Sequence, residues 1–514
     1  MTSDRRHSRP AQRPGVRPGV RPGVGMWRRA AAGIAVALSL VLGTALGTGL
    51  GTGLGTSLLA PATADAPAPV VGSRGIGDSY FPLDGNGGID VQHYDVSNRY
   101  DFASGTLRGR TVLTLRATQN LKSFNLDLLL TPTAVSVGGT KAKFRKDGKH
   151  ELVITPATPL KAGRTVKVVV RHTGVPAKLS YRGKKNFVAD KQEVVAVNEP
   201  HMAPWWFAAN DHPSDKATFT VAVNVPKGKQ AISNGVLKSK KVSGKRVTWT
   251  WGSKDPMATY LAFFVAGDYT IERGRTDGLP WLNAVSKKLP AKQQKRALKL
   301  LRRSVSVIRT LEKDLGPYPY GVTGGVSVGF DLGFALETQT RPVYWPLSGH
   351  ESDVVVHELA HQWFGDDVSI DRWSDIWLNE GFASFMEYRY AERRGEKAAG
   401  NAMLEDYHRW TAASDDLWKV RIGAPGAGKV FDQAVYARGG MAVQALRNRI
   451  GEKAFATLLR TWLARHAGGN ASVGEFTALA EQVSGQDLGA FFEAWLYAPN
   501  RPARTAANGF VVTG

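Results

Sequence analysis

The hydrophobic pattern of this chain changes its period once, near residues 269–279. Before that point apolar residues alternate with polar ones, as at 219–225, which is typical of strands that bury one face. After it they recur every three or four residues, as at 291–315, which is typical of amphipathic helices. The pattern therefore predicts a multidomain α+β chain with three parts: an all-β sandwich or saddle domain at 88–272, a mainly helical domain at 273–500 and a tail at 501–514.

The second half contains further segments with the helical period, at 351–364, 379–394, 434–450 and 488–497. A short apolar run at 326–330 predicts a strand among them. The chain stops soon after the last helical segment, where Pro499 and Pro502 mark the exit. This leaves no room for a third large domain, so no C-terminal helical superdomain is expected.

The N-terminal 64 residues have the composition of a signal peptide with a basic low-complexity leader. Residues 1–29 are basic, 30–42 are apolar, and Ala62-Thr63-Ala64 offers small residues at a cleavage site. We therefore expect secretion, cleavage after Ala64 and a flexible mature N-terminus at 65–87. The alternative is an uncleaved membrane anchor, because the apolar stretch is long, but its Gly and Thr content favours a signal peptide. General and twin-arginine export both stay open.

The chain is strongly basic and has no cysteine. Its net charge is +23, and removal of residues 1–64, with eight Arg and one Asp, leaves +16. Zero cysteines exclude disulfides, thiolate metal sites and cysteine nucleophiles. No aromatic-basic or helix-turn-helix pattern accompanies the charge, so we expect no nucleic-acid partner. Loose association with an anionic cell surface, without stable membrane insertion after signal cleavage, is the expected consequence.

A short motif in the helical half predicts a metal site. His357 and His361 lie four residues apart, so on a helix both imidazoles share a face and can reach one Zn²⁺. Glu380, in a segment that begins eighteen residues after His361, can supply a third ligand and leave a fourth position open. Glu358 stands beside the metal and can act as general base. The alternatives are a helix whose histidines bind nothing and a surface carboxylate at Glu380.

Longer sequence blocks around these residues resemble the aminopeptidase N family of zinc metallo-aminopeptidases, which are gluzincins. The blocks are His357-Glu-Leu-Ala-His361-Gln-Trp-Phe-Gly365, Trp377-Leu-Asn-Glu380-Gly-Phe-Ala383, Gly333-Phe-Ala335-Leu-Glu337-Thr338, Tyr436-Ala-Arg-Gly439 and Val197-Asn-Glu199-Pro200 with the segment 206–219 after it. The resemblance covers roughly residues 90–500. It implies a β-saddle domain followed by a thermolysin-like zinc peptidase domain, in a short two-domain secreted bacterial form with one Zn²⁺ per chain.

The resemblance also implies roles for individual residues and a substrate class. Glu337 and Glu199 would bind the free α-amine of a peptide, and the segment with Gly333 and Ala335 would hold the substrate backbone. Tyr436 would donate to the tetrahedral oxyanion. The expected activity is hydrolysis of the N-terminal bond of peptides with a free N-terminus, with Glu358 as base.

Three positions depart from the family pattern. Phe334 and Thr338 replace the usual Gly and Asn around the amine-binding Glu, and Arg438 replaces Lys. The metal triad alone also fits a zinc endopeptidase, and the +16 charge fits a catalytically weak polyanion-binding protein of the cell surface. Glu387 either orients a ligand histidine or is solvated. His201, His212 and His350 are expected to be structural.

Overall fold

The computed structural model describes residues 67–411 and 416–511. The predicted signal peptide at 1–64 and its cleavage after Ala64 lie outside the described residues. In the described ranges, no helix combines the length and the apolar character needed to cross a membrane.

The N-terminal half is built from strands, in agreement with its alternating pattern. The strands are β1 (Val70–Val71), β2 (Ile89–Asp101), β3 (Thr106–Ala117), β4 (Leu121–Asp127), β5 (Thr131–Val137), β6 (Thr140–Lys141), β7 (Lys143–Asp147), β8 (Glu151–Thr155), β9 (Thr165–Gly174), β10 (Phe187–Ala189), β11 (Val194–Ala196), β12 (Ala217–Pro226), β13 (Gln230–Ser233), β14 (Val236–Ser243), β15 (Arg246–Met257) and β16 (Phe264–Gly267).

These strands form one large sheet and two smaller ones. The large sheet has eight strands in the order β14-β15-β12-β2-β3-β9-β5-β6, and the smaller sheets have the orders β1-β4-β8-β7 and β10-β11-β16-β13. The segment around Trp206 and Phe207 lies between sheets: Phe207 packs on Tyr94 of β2, and Trp206 packs on Phe264 of β16. Alternate residues of β12 are buried, so one face of the large sheet covers this core and the other faces solvent.

The C-terminal half is mainly helical around a small sheet. Its elements are β17 (Tyr269–Thr276), β18 (Leu279–Ser286), β19 (Thr323–Ser327), β20 (Val343–Tyr344), β21 (Ser369–Ile370) and β22 (Asn470–Ala471), with α1 (Ala291–Leu301), α2 (Ser304–Leu315), α3 (Ser352–Ala360), α4 (Trp377–Arg393), α5 (Ala399–Arg409), α6 (Asp416–Lys419), α7 (Gln433–Ile450), α8 (Glu452–Arg465), α9 (Val473–Ser484), α10 (Gly489–Phe492) and a π-helical turn at Glu493–Tyr497.

The structure differs from the helix predictions in two respects. The segment 291–315 is two helices rather than one, interrupted at Arg302-Arg303. Helices α5, α8 and α9 were not predicted, although α9 begins with a complete capping box in which Ser472 and Glu475 bind each other's backbone N–H groups. Strand β17 pairs with β18 and crosses the proposed domain boundary at 272–273, which stays a prediction.

Buried polar side chains join the two halves. Glu193, before β11, accepts hydrogen bonds from the Tyr269 hydroxyl at 2.5 Å and from the Gly329 N–H at 3.0 Å. Arg341, before β20, is almost fully buried and donates to the backbone carbonyls of Ser233 and Gly235. A loop of the helical half is therefore fixed directly to the β-domain, and that loop carries Glu337.

Candidate metal centre

Helices α3 and α4 bring His357, His361 and Glu380 together in the interior. All three side chains are fully buried, and their ligand atoms lie within 4.8 Å of one another. The Glu380 carboxylate is 3.7 Å from Nε2 of His357 and 3.5 Å from Nε2 of His361. A tetrahedral metal with bonds of about 2.0–2.1 Å separates its ligand atoms by roughly 3.4 Å. Two imidazoles and one carboxylate at this spacing fit a zinc ion.

Polar groups behind the two histidines orient their rings. Nδ1 of His357 contacts Oε1 of Glu387, two turns beyond Glu380 on α4, and Nδ1 of His361 faces the Phe364 carbonyl at 3.4 Å. Each Nδ1 is thus directed away from the centre, which turns each Nε2 towards it. Of the two readings of Glu387, the structure supports the one in which it orients a ligand histidine.

Two buried glutamates from different domains lie beside the metal site. The pKa of Glu199 is raised well above its usual value by burial and by the charge of Glu358. The pKa of Glu337 is raised likewise by burial, then by the charges of Glu199, Asp366 and Glu358. Within the described chain, no hydrogen bond of standard geometry reaches either carboxylate. The fold thus brings Glu199, Glu337 and Glu358 into one enclosed acidic space.

Several groups that sequence reasoning missed hold or face Glu337. Gln362, next to His361, donates to the Glu337 carbonyl at 2.9 Å and accepts from the Thr340 N–H at 2.8 Å. The Tyr260 hydroxyl of the β-domain faces Glu337, and burial and then the charges of Glu337 and Glu199 raise its pKa. Gln362 directly follows the predicted ligand His361, and this adjacency was the feature of the sequence that could have identified it as part of the site. Nothing in the sequence around Tyr260 indicated its position.

The segment before Glu337 leaves the surface and enters the core. Gly333 is exposed, has a left-handed φ of 72° and donates its N–H to Asp331 at 3.1 Å. Ala335 is fully buried, and the adjacent Leu336 pairs with Val343 through two backbone hydrogen bonds of 2.7 and 2.6 Å. Gly333 and Ala335 therefore lie on one short segment that bends at Gly333 and ends at the acidic space.

Tyr436 lies in the first turn of α7, near the ligand histidines. Its ring centroid is 6.4 Å from that of His357, and its side chain is buried. Asp432 caps this helix by accepting from the Ala434 N–H at 3.0 Å. Two residues further on, Arg438 is fully buried and fixes the surrounding backbone. Every predicted site residue except Gly333 is thus buried, either on helices α3, α4 and α7 or on the loops that carry Glu199 and Glu337.

Comparison with known proteins places this arrangement in a family. Residues 348–495 match the peptidase family M1 domain, and residues 91–261 match the peptidase M1 N-terminal domain. The chain belongs to peptidase family M1. The two matches cover the helical and the β half in the predicted order.

Solved M1 structures match this chain over nearly their whole length. An M1 zinc metallopeptidase from Deinococcus radiodurans has a TM-score of 0.75 and 28% identity, with 84% of this chain and 99% of that chain covered. A mutant of a two-domain M1 zinc metallopeptidase bound to L-arginine has a TM-score of 0.76 and 27% identity, with the same coverage. These relatives confirm the predicted fold of a β-domain followed by a mainly helical peptidase domain. Both relatives are zinc metallopeptidases, which confirms the prediction of one Zn²⁺ per chain.

The curated relatives are longer. Aminopeptidase M1 of Arabidopsis thaliana is 26% identical over 63% of this chain and 39% of its own length. An aminopeptidase N of Lactococcus lactis is 25% identical over 81% of this chain and 52% of its own length. The chain thus spans about two-fifths to one-half of the length of these aminopeptidases.

Proposed function

We propose that this M1 protein is a zinc-dependent aminopeptidase that removes the N-terminal residue of peptides. The carrying observation is the buried pair of Glu199 and Glu337 beside His357, His361 and Glu380. A metal triad alone is equally suited to internal peptide bonds. Two enclosed carboxylates next to it are suited to a free ammonium group, which only a chain terminus presents in every substrate.

The charges of the site explain the preference for an ammonium group. Burial and then repulsion from neighbouring carboxylates, among them Glu358, raise the pKa values of Glu199 and Glu337, so their ionised forms are costly without a cation. A substrate α-ammonium supplies that cation, whereas an acylated or internal residue leaves the carboxylates uncompensated. The selection is therefore electrostatic as well as steric.

The remaining groups have separate tasks in the reaction. His357, His361 and Glu380 would hold a Zn²⁺ ion, which would supply Lewis acidity towards the scissile carbonyl and towards water. Glu358 accepts the proton from the attacking water and passes it to the leaving amine. Tyr436 donates its hydroxyl hydrogen to the oxyanion of the tetrahedral intermediate. Gln362 and Arg341 hold the Glu337 segment in register with the metal ligands.

The relatives support peptides as the substrate class. The matched curated proteins carry the name aminopeptidase. One solved M1 relative is a mutant bound to a Tyr-Ser-Ala substrate. It is 28% identical with a TM-score of 0.74, and 84% of this chain and 99% of that chain are covered.

We further propose that the signal peptide at 1–64 directs secretion, so that the mature chain begins at Asp65. N-terminal sequencing of the protein recovered from the culture medium tests this; a sequence that includes residues 30–42 would contradict it.

Aminoacyl chromogenic amides test the activity. We expect hydrolysis of the free-amine substrate, loss with a chelator and recovery with Zn²⁺, and no cleavage of the N-acetylated form. The variant Glu337→Ala should lose most of this activity, while Glu396→Ala, an exposed glutamate, should keep it. Equal cleavage of acetylated peptides, or an unchanged Glu337→Ala variant, would show an endopeptidase instead.

A further inference from the structure

The solvent face of the eight-stranded sheet contains a groove far in sequence from the metal centre. Its volume is about 630 Å³, and its lining residues belong to β15, β12, β2, β3, β9 and β5, which are consecutive neighbours in the sheet. Because adjacent strands are about 4.8 Å apart, the groove extends roughly 24 Å across the strands. None of the proposed catalytic or metal-binding residues lines it.

Four arginines lie in the middle of this groove and form two pairs of opposed residues on neighbouring strands. Arg99 of β2 is the register partner of Arg108 of β3, and Arg110 of β3 is the register partner of Arg171 of β9. Like charges directly opposite each other on neighbouring strands destabilise a sheet. In the described part of the chain, none of the four guanidinium groups has an ion pair or a hydrogen bond with another residue. The sheet thus holds four cations together, and none of them forms a direct ion pair within the described residues.

Carboxylates do not enter the groove. Among its lining residues in the described chain there is no Asp or Glu. Asp101, at the end of β2, accepts hydrogen bonds from the N–H and the hydroxyl of Ser104 instead. Arg246 lies close enough that burial and then the positive charge of Arg99 lower its pKa. The lining of the groove therefore carries a net positive charge, although Asp101 lines an adjoining cavity together with Arg99 and Arg108.

The backbone under the arginines is fixed by tight packing. Gly109 separates Arg108 from Arg110, and a Cβ at Gly109 would overlap the side chains of His172 and Asn98. Those two side chains face the Trp206 carbonyl at 3.2 and 3.0 Å, on the core side of the sheet. Strand β3 therefore lies close against the core at this point, and its two arginines project from a rigid support.

We propose that this groove binds a linear polymer that carries repeated phosphate groups. Guanidinium forks match phosphate oxygens, and one phosphate can be shared between two guanidinium groups of a pair. The pairs are about 5 Å wide and about 7 Å apart along β3, so successive phosphates of an extended chain can reach both. The neutral side chains of Thr133 and Thr173 beside them supply hydroxyl donors.

Nucleic acid is a poorer occupant than a polymer without bases. Single-stranded nucleic acids are bound by stacking their bases on aromatic side chains as well as by phosphate contacts. In the described residues, the lining of this groove includes no Phe, Tyr or Trp. The groove thus offers phosphate recognition alone. An envelope polymer of polyol phosphate has this chemistry, and binding to it would hold the enzyme near the cell surface.

Fluorescence anisotropy with labelled long-chain inorganic polyphosphate tests the proposal. We expect binding that weakens between 50 and 200 mM salt by about sevenfold if each arginine pair shares one phosphate, and by about 50-fold if each arginine contacts its own phosphate. The double variant Arg110→Gln/Arg171→Gln should bind about tenfold or more weakly. The matched control Lys295→Gln/Lys299→Gln removes two charges from the exposed face of α1 and should bind like the original protein. Peptidase activity should be unchanged in both double variants.

Other outcomes would overturn the proposal. Equal loss of binding in the lysine control would show a response to net charge rather than to the groove. Unchanged binding in the arginine variant would place the site elsewhere. Tighter binding to single-stranded DNA, to polyglutamate or to anionic phospholipid vesicles than to polyphosphate would identify a different occupant. Because the readout is binding, failure of the peptidase assay would not affect this result.

Discussion

Gly381 of α4 and Gly439 of α7 lie face to face where these two helices cross. A Cβ built on Gly439 would lie 2.8 Å from the Cα of Gly381, closer than real side chains approach. The Trp377 indole N–H faces the Gly439 carbonyl at 3.5 Å over the same crossing. Since Glu380 and Tyr436 lie one and three residues from these glycines, the close approach sets the distance between a metal ligand and the proposed oxyanion donor.

Gly439→Ala should therefore disturb the site as well as the fold. We expect the free energy of unfolding to fall by about 1–3 kcal/mol, because the helices must separate to admit the methyl group. We also expect kcat to fall more than KM changes. The control is Gly400→Ala on α5, where a Cβ would meet nothing within 4 Å. That variant should be neutral or more stable in urea denaturation; equal losses in both variants would contradict the role of the crossing.

Arg438 replaces the lysine of the family motif and uses its whole guanidinium group. It donates to the backbone carbonyls of Trp418, Val420, Ala494, Trp495 and Ala498 at distances of 2.7–3.0 Å. Burial lowers its pKa to about 10, so it stays charged at neutral pH. This single side chain ties the π-helical turn to the loop after α6 and to the helix that carries Tyr436.

Arg438→Lys should be destabilising even though it restores the family residue. A lysine has three donors on one atom and cannot reach five carbonyls, so some stay buried without a partner. We expect a loss of about 1–3 kcal/mol in unfolding free energy per carbonyl left unsatisfied, measured by chemical denaturation. Arg460→Lys, which removes one exposed contact to the Lys313 carbonyl, should change little. A fully stable Arg438→Lys protein would show that the carbonyls find other donors.

The proximity of His357, His361 and Glu380 could be predicted from the sequence, because these residues lie on two helices with a regular period. His357 and His361 share a face by helical geometry, and Glu387 follows Glu380 on one face for the same reason. The two-domain order followed from a change of period that is visible over many residues. These features depend on local rules that a single sequence displays.

Contacts between residues that are far apart in sequence could not be predicted from these local rules. Tyr260 reaches Glu337 only because the β-domain packs against the loop after β19, and Arg341 lies there because Ser233 and Gly235 expose carbonyls to it. The opposed arginines of the sheet depend on strand register, which alternation alone does not fix. Glu199 was identified through family resemblance, since its neighbours in sequence carry no signal for burial beside a metal site.

Glu387→Gln should weaken metal binding without removing a ligand. The carboxylate of Glu387 contacts Nδ1 of His357 and increases the basicity of the nitrogen that faces the metal. A neutral amide retains the shape but not the charge, so we expect about 10–100-fold lower Zn²⁺ affinity. Competition with a chromogenic chelator measures this directly. With saturating Zn²⁺, activity should largely return, whereas Glu380→Gln should not recover; an unchanged affinity in Glu387→Gln would contradict the prediction.

Asp78 should make stability depend on pH in the acid range. Burial alone would raise its pKa, but hydrogen bonds from His212 and from the backbone N–H groups of Trp373, Phe81 and Tyr80 lower it to about 2. Because the folded pKa is below the unfolded value of about 3.9, the ionised form stabilises the fold above pH 4. This contribution, about 1–2 kcal/mol, is lost as the pH falls from 4 towards 2.

The variant Asp78→Asn isolates this contribution, because it removes the titrating group and keeps its shape. At pH 7 we expect Asp78→Asn to unfold at lower urea concentration than the original protein, and the difference should shrink below pH 4. The contact from Asp78 to the Trp373 N–H, at 2.8 Å, joins the segment before β2 to the loop before α4. Loss of this contact should therefore loosen the junction of the two domains. Asp331→Asn, on the exposed loop before Glu337, is the control, and an equal pH dependence of both variants would show that Asp78 is not the group responsible.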